Sequence, residues 1–347
     1  YHIDLDLAPQ NRWDDLAFHE GAKLKKILQV FKDVLLSFSK YSANIISFVD
    51  NNLGQLVDTL PQPYRDELKG LANATNLPLG EVLLYNLFYE VFTVCTSILA
   101  EDDRGNLYHA RNMDFGLFMG WDSQNSTWLM TEALKDSVVN LKWKKNGQVL
   151  FKSVNYVGYI GVFTAMKPGA FSLTVNERFN IDGGYLGILK WLLGYRQSSW
   201  LTFITRQVME TARDFHDAYY LLRDKELLAP VYFILGGNQT DQAVVITRSR
   251  LEAIDVWHLS MDNSTFYLLE TNYDHWSKPP FYDDRRSVGR KCMDGLTKKN
   301  VGFLGLFDVL SSKPVLNKLT TYTTLMQVSS GRMESYIQYC QNPCSPW

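Results

Sequence analysis

The first 93 residues carry apolar side chains at three- and four-residue spacing. From Cys95 the texture changes to short runs rich in β-branched and aromatic residues. Helical spacing predicts helices over Asp14–Phe38, Tyr41–Leu60, Pro63–Thr75 and Pro78–Val91, broken at Asp50-Asn-Asn-Leu-Gly54 and Pro61-Gln-Pro63. The stretch from Leu24 to Leu36 is strongly amphipathic, with lysines on its polar side. Docking on a core is the expected use of its apolar face, and lying on an anionic membrane surface the other. Past Val94, strands are predicted at Cys95–Ala100, Leu107–Met113, Val138–Lys144, Val149–Ser153, Tyr159–Met166 and Phe171–Asn176. Helices follow at Tyr185–Leu193, Trp200–Thr211 and Asp214–Arg223, and strands return at Val231–Leu235, Ala243–Thr247, Ala253–His258 and Phe266–Thr271. Asp283–Leu296 and Phe303–Ser311 read as helices, and Thr320–Val328 with Met333–Tyr339 as a closing hairpin. Sheets interrupted by helices and then resumed predict an α+β fold, a layered αββα sandwich.

Composition narrows the class. Hydrophobic residues are 46% of the 347 and aromatics 14%, enough for a sizeable core. A net charge of −2 offers no electrostatic argument for binding nucleic acid. No apolar run reaches the ~18 residues of a membrane-spanning helix. The opening Tyr-His-Ile-Asp-Leu resembles neither a signal peptide nor an initiator, so an N-terminal piece is expected to be missing. Glycosylation sequons at Asn73, Asn125, Asn238 and Asn263 point to the secretory pathway. Cys340-Gln-Asn-Pro-Cys344 reads as a small disulfide staple, because a zinc site would need further ligands that are not in sequence reach. Cys292 is left over, either free or joined to a partner upstream of Tyr1.

The candidate chemistry is found by elimination. The chain has no G-x-S-x-G elbow, Walker A loop, H-E-x-x-H or dinucleotide fingerprint. Gly236-Gly237-Asn238 is a strand-end turn, and His109 and His275 stand in contexts that make them structural. What remains is Cys95 at the start of a strand, with Arg111 and Asp114 on the next. Antiparallel pairing would bring both beside the thiol, the makings of a nucleophile.

Cys95-Thr-Ser-Ile-Leu-Ala-Glu-Asp with Arg111-Asn-Met-Asp-Phe-Gly116 resembles the nucleophile region of the acid ceramidase family, which is choloylglycine hydrolase-like. Asn176-Glu-Arg-Phe-Asn-Ile-Asp-Gly-Gly-Tyr185, Ile234-Leu-Gly-Gly-Asn-Gln239, Glu270-Thr-Asn-Tyr-Asp274 and Asp283-Asp-Arg-Arg286 extend the resemblance. Lys313-Pro-Val-Leu-Asn-Lys and Tyr322-Thr-Thr-Leu carry it towards the C-terminus, so it spans essentially the whole chain. N-acylethanolamine-hydrolysing acid amidase shares several of these motifs. The resemblance implies an N-terminal-nucleophile hydrolase without a cofactor or metal, self-cleaved between Val94 and Cys95. Residues 1–94 would form a helical α subunit and residues 95–347 the β subunit carrying the sandwich. It implies Cys95 as nucleophile, Arg111 and Asp114 beside it, and Glu177, Asn272 and Arg285 completing the pocket. It further implies ceramide as substrate, a saposin-type activator and an anionic lipid surface as partners, and a lysosomal, also secreted, enzyme. Cys292 would be tethered to a cysteine upstream of Tyr1. Two rivals stand beside this reading: hydrolysis of N-acylethanolamines, and a lipid-binding protein without catalysis.

The chemistry asks for these residue types. Amide hydrolysis needs a nucleophile, a base, an acid for the leaving amine and an oxyanion stabiliser. A cysteine at a chain start supplies thiol and α-amino group on one residue. Arg111 is expected to favour the thiolate, Asp114 to hold the ammonium, and the Asn272 side-chain NH₂ to stabilise the oxyanion. Arg285 and Glu177 are expected to position Asn272 and the scissile amide. The apolar run from Phe115 to Trp121, with Trp191-Leu-Leu-Gly194, is read as the mouth of an acyl-chain channel. The helical leader is expected to obstruct that site until cleavage.

Overall fold

The computed structural model describes residues 1–38, 53–88, 93–115, 120–179, 186–259 and 265–345. Among these, two sheets pack face to face. The larger has eight strands in the order β1-β6-β7-β8-β9-β10-β11-β12. They are β1 (His2–Asp4), β6 (Val138–Lys145), β7 (Gln148–Tyr156), β8 (Thr164–Lys167), β9 (Phe171–Glu177), β10 (Val231–Gly236), β11 (Ala243–Arg248) and β12 (Ala253–His258). The smaller has five in the order β13-β2-β3-β14-β15, namely β13 (Tyr267–Glu270), β2 (Thr93–Glu101), β3 (Leu107–Phe115), β14 (Thr320–Gln327) and β15 (Arg332–Tyr336). A two-strand ribbon, β4 (Trp121–Asp122) with β5 (Thr127–Trp128), stands apart.

Alternation along β2 and β3 places the two faces of the small sheet. Leu99 packs with Tyr232, Ile234 and Val245 of the large sheet. Ile98 and Ala110 point the other way, against Leu306, Val309 and Leu310. Those residues belong to α9 (Phe303–Ser311), which covers the outer face with α8 (Arg285–Leu296). α6 (Leu201–Thr211) and α7 (Phe215–Asp224) cover the large sheet, which completes the expected αββα sandwich.

The leader is α1 (Asp14–Phe38), α2 (Tyr64–Thr75) and α3 (Leu79–Phe88), with short turns at Gly54–Leu56 and Val57–Thr59. α1 buries Leu16, Ala17, Leu24, Ile27 and Leu28, so its apolar stripe is spent on the core. No helix among the described residues is long and apolar enough to cross a membrane. The expected helix over Tyr41–Leu60 falls largely outside the described residues, as do the last residues of the one ending at Val91.

Three expectations need correcting. The leader is not wholly helical, because Ile3 enters the core on β1, which pairs in parallel with β6. Three residues are too few for periodicity to register. Tyr159 to Phe163 are not strand, and β8 begins at Thr164. Their apolar run is a buried loop whose backbone groups are satisfied by side chains: Asn155 donates to the carbonyls of Tyr159 and Gly161, and Asn86 accepts from the Ile160 amide. Finally, β2 begins at Thr93, so one strand runs through Val94 and Cys95 without a break.

Candidate active site

Strand parity decides what meets the Cys95 thiol. In the β2–β3 pair Cys95 stands opposite Met113, Ser97 opposite Arg111 and Val94 opposite Asp114. Opposed residues share a face of the sheet, so Arg111 and Met113 lie with the thiol between the sheets, and Asp114 lies on the helix-covered side. Arg111 Nη2 is 2.6 Å from Cys95 Sγ, and Met113 Sδ is 3.6 Å away. Arg111 Nη1 donates to the Phe163 carbonyl at 2.8 Å and Thr164 Oγ1 at 2.9 Å, and Nη2 donates also to the Val175 carbonyl at 3.1 Å. Thr164 Oγ1 in turn lies 2.8 Å from the Tyr322 hydroxyl.

The peptide around Cys95 is clamped by the other expected residues. The Cys95 amide donates to Asn272 Oδ1 at 2.8 Å, and Arg285 Nη2 donates to the same oxygen at 2.7 Å. Arg285 Nη1 donates to the Cys95 carbonyl at 2.5 Å. Asn272 Nδ2 donates to the carbonyls of Glu177 at 2.8 Å and Thr93 at 3.3 Å, while the Thr93 amide donates to Glu177 Oε2 at 2.9 Å. Glu177 and Asn272 thus grip the chain just ahead of the Val94–Cys95 bond. Asp114 reaches this network through Arg285, 3.5 Å away, and accepts from Thr320 at 2.6 Å and Asn317 at 3.0 Å. Asp283 anchors Arg285 Nε at 2.7 Å.

Burial dominates the electrostatics. It pushes the Cys95 thiol up, opposed by Arg111. It also raises Asp114 to about 6, against the pull of Arg285, Thr320 and Asn317. His109 is pushed down to about 3 by burial and by Arg111, and sits between the hydroxyls of Ser172 and Thr174.

Asp283, Asn317, Thr320, Thr164 and Tyr322 belong to the site's network but were not singled out from the sequence. Asp283, Asn317 and Tyr322 fell inside quoted motifs, but nothing local marks Thr164 or Thr320. Elsewhere, Asn73, Asn125 and Asn238 are exposed, and Asn263 lies outside the described residues. Cys340 and Cys344 are joined in a disulfide. Cys292 is a free, half-buried thiol packed against the core beneath α8 and α9. Of the expected channel mouth, residues 116–119 lie outside the described residues. Phe115 and Trp191 are buried, while Trp121 is 43% and Leu193 70% exposed.

A profile of the linear amide C–N hydrolases, choloylglycine hydrolase family, matches residues 95–289 and begins on Cys95 itself. A profile described as the beta subunit of N-acylethanolamine-hydrolyzing acid amidase matches residues 1–60. The chain is 47% identical over its whole length to acid ceramidase from Homo sapiens, covering 88% of that protein. It is 46% identical to acid ceramidase from Heterocephalus glaber at the same coverages, 100% and 88%. Among solved structures, the N-acylethanolamine-hydrolyzing acid amidase ortholog of Caenorhabditis elegans superposes with a TM-score of 0.59 at 28% identity, covering 71% of this chain and 100% of that one. With a thiol, an arginine and a clamped peptide at the point where the hydrolase profile begins, the chain belongs to the acid ceramidase family of linear amide C–N hydrolases.

Proposed function

We propose that this protein hydrolyses the amide of ceramide to sphingosine and a fatty acid through an acyl-thioester on Cys95, after cutting its own Val94–Cys95 bond. The observation that carries the reading is the Cys95 thiol 2.6 Å from Arg111, directly beside a gripped peptide bond. In the uncut chain Cys95 has no exposed surface, so a lipid cannot reach the sulfur before cleavage. In the self-cleavage step the sulfur attacks the Val94 carbonyl, the C–N bond breaks and the Cys95 nitrogen takes a proton. Water then opens the thioester, leaving a carboxylate on Val94 and regenerating the thiol. Residues 1–94 become the α subunit and residues 95–347 the β subunit.

Cleavage releases Thr93, and with it one acceptor of the Asn272 NH₂ group. That N–H then becomes available to a substrate oxyanion, the role whose loss typically costs ~3 kcal/mol. The Cys95 nitrogen, now an amine, stays by Asn272 Oδ1 and serves as base towards its own thiol. Arg111 stabilises the thiolate, and Asp114 acts on the ammonium through Arg285. Glu177 positions the peptide during self-cleavage. Three exposed sequons support passage through the secretory pathway to the lysosome, with some enzyme secreted. A saposin-type activator and an anionic membrane surface would present the lipid. Cys292 would be bonded to a cysteine upstream of Tyr1.

A second reading, hydrolysis of N-acylethanolamines, is favoured by the profile over residues 1–60 and by the nematode structure. Competing turnover of ceramide and palmitoylethanolamide by the mature enzyme separates the two. The central test is Cys95→Ala. It is expected to yield a folded single chain, neither cleaved nor active, because losing one small side chain removes little of a domain's stability. Mass spectrometry of the wild type should find an acyl adduct on Cys95. Cleavage of the Ala variant before residue 95 would assign the cut to an outside protease.

A further inference from the structure

The buried loop between β7 and β8 spends five successive carbonyls on side chains. Tyr85 Oη donates to Val157 at 3.0 Å, and Asn86 Nδ2 to Gly158 at 3.0 Å. Asn155 Nδ2 serves Tyr159 at 3.1 Å and Gly161 at 2.6 Å, and Arg206 Nη1 serves Ile160 at 3.1 Å. Asn86 Oδ1 also accepts from the Ile160 amide at 2.9 Å. Tyr85 and Asn86 stand on α3 of the leader, and Arg206 is paired with Glu67 of α2. Three of the five carbonyls are thus bonded, directly or through one arginine, to residues ahead of the Val94–Cys95 bond. Packing follows the same division. Gly158 has a φ of +82°, and a Cβ there would come within 2.6 Å of Leu24 Cδ2 on α1.

Asn86 is wholly buried and lies within a helix, where asparagine is a poor residue on propensity alone. Both ends of its amide are used, since Nδ2 donates to the Val82 carbonyl as well as to Gly158. The loop it holds leads straight to the arginine beside the thiol. Just past Gly161, the Phe163 carbonyl and Thr164 Oγ1 accept from Arg111 Nη1 at 2.8 and 2.9 Å. Arg111 Nη2 donates to Cys95 Sγ at 2.6 Å. A guanidinium is a rigid planar fork, so whatever fixes Nη1 also fixes where Nη2 points. The Phe163 carbonyl accepts from the Val175 amide at 3.1 Å as well, which ties it to β9 on one side. The loop ties it on the other.

We infer that Asn86 is a positioning residue for the chemistry at Cys95. It holds the loop from Val157 to Gly161, the loop sets Phe163 and Thr164, and those two acceptors aim Arg111 at the sulfur. The assignment rests on the reading of Cys95 as the nucleophile. Under that reading α3 belongs to the α subunit after the cut, so one subunit positions an arginine that the other carries. The thiol feels Arg111 and Arg285 as cations and Asp114 and Glu177 as anions. Of these groups, Arg111 is the one bonded to the end of the loop.

The test is a double-mutant cycle on self-cleavage of the purified single chain, followed by gel across pH. Asn86→Leu is expected to slow cleavage about tenfold, within what a misplaced reacting group costs. It should also move the thiol's inflection to higher pH, because Arg111 favours the thiolate. Added to Arg111→Met, the same substitution is expected to change the rate by about twofold or less, since no guanidinium is left to aim. Tyr85→Phe removes the hydroxyl bonded to Val157 and should act in the same direction by about threefold. It carries the cycle if Asn86→Leu does not fold. Wild-type rates in both variants, an unmoved inflection, or an equal loss beside Arg111→Met would overturn the assignment and leave Cys95 as the nucleophile. A wild-type chain that never cuts itself would instead remove the reading on which the assignment rests.

Discussion

Arg206 and Arg111 are both wholly buried, and the fold satisfies them in opposite ways. Arg206 makes a bidentate pair with Glu67 at 2.5 and 2.6 Å and a further bond to Glu210. Glu67 also accepts from Arg12 at 2.8 Å and from the Trp13 indole at 2.7 Å. The cluster is saturated, and it joins the leader to α6 across the site of the proposed cut. Arg111 has no carboxylate within ion-pair distance among the described residues: its partners are two carbonyls, one hydroxyl and two sulfur atoms, and its Nε is unpaired. A buried cation is expensive without a counter-ion. Where the fold keeps one, the missing negative charge needs a place to form, and we propose the Cys95 sulfur as that place. The comparison separates an arginine saturated by carboxylates from one without a carboxylate that touches a thiol.

The sharpest way to break it is Glu67→Gln, which leaves Arg12 and Arg206 facing a neutral amide. Loss of about 3–5 kcal/mol is expected from denaturant unfolding at neutral pH, as for other buried pairs stripped of one partner. Burial pushes the Glu67 carboxyl up, but Arg206, Trp13 and Arg12 hold it below its ordinary value. Its contribution is therefore present above the unfolded carboxylate range, ~4.3, and is lost as pH falls below it. The gap between wild type and variant should narrow on that side. A loss under ~1 kcal/mol would mean that the cluster does not hold the leader.

Arg111→Met should do the reverse. Removing an unpaired buried charge is expected to leave stability equal or higher, while self-cleavage slows by roughly 10²–10³, the usual worth of a stabiliser of developing charge. Gel analysis of cleavage beside a denaturant curve checks both. An unfolded variant would erase the distinction between the two arginines.

Asn272→Ala in the mature enzyme is expected to lower kcat by roughly 10²–10³ with little change in KM, since the acyl and sphingoid chains supply most of the binding at ~0.8 kcal/mol per buried CH₂. A strong rise in KM with kcat intact would make Asn272 a binding residue. The smallest effect is predicted for Asp114→Asn. Burial raises Asp114 to about 6, and its charged form raises the Cys95 thiol further. Self-cleavage should therefore show an inflection near pH 6 as acidification neutralises Asp114. In the Asn variant that inflection should vanish, with rates at lower pH within about tenfold of wild type. An inflection that survives the substitution belongs to another group.

Long elements were legible because one face of each is buried along its whole length. α1 and α9 match the expected Asp14–Phe38 and Phe303–Ser311. α4 (Leu129–Lys135) was missed, since seven residues give less than two helical turns of pattern. The candidate residues Cys95, Arg111, Asp114, Glu177, Asn272 and Arg285 all fell inside motifs. The structure brings Arg111 to the thiol and Glu177, Asn272 and Arg285 to the peptide around it. Asp114, expected beside the thiol, lies on the other face of the sheet against Arg285. Their second partners were not legible as such. Asn317 falls in the run from Lys313 to Lys318 without being singled out, and with Thr320 it meets Asp114 across 203 and 206 residues of chain, a distance over which no local pattern pairs them.

The amino-acid sequence by itself determined the alternation of helix-spaced and strand-spaced apolar residues, and with it the layered sandwich and the placing of the thiol on a strand. Only the tertiary structure decided which side of β3 each charged residue serves. Side chains alternate with a period of two, so a slip of one residue in the β2–β3 register would exchange Arg111 and Asp114 beside the thiol. That register is set by packing against the large sheet on one face and α9 on the other, through contacts far apart in sequence. The same packing took every carboxylate among the described residues out of ion-pair reach of Arg111 and gave Arg206 two. A buried charge is defined by what surrounds it, and those surroundings are assembled only when the chain folds.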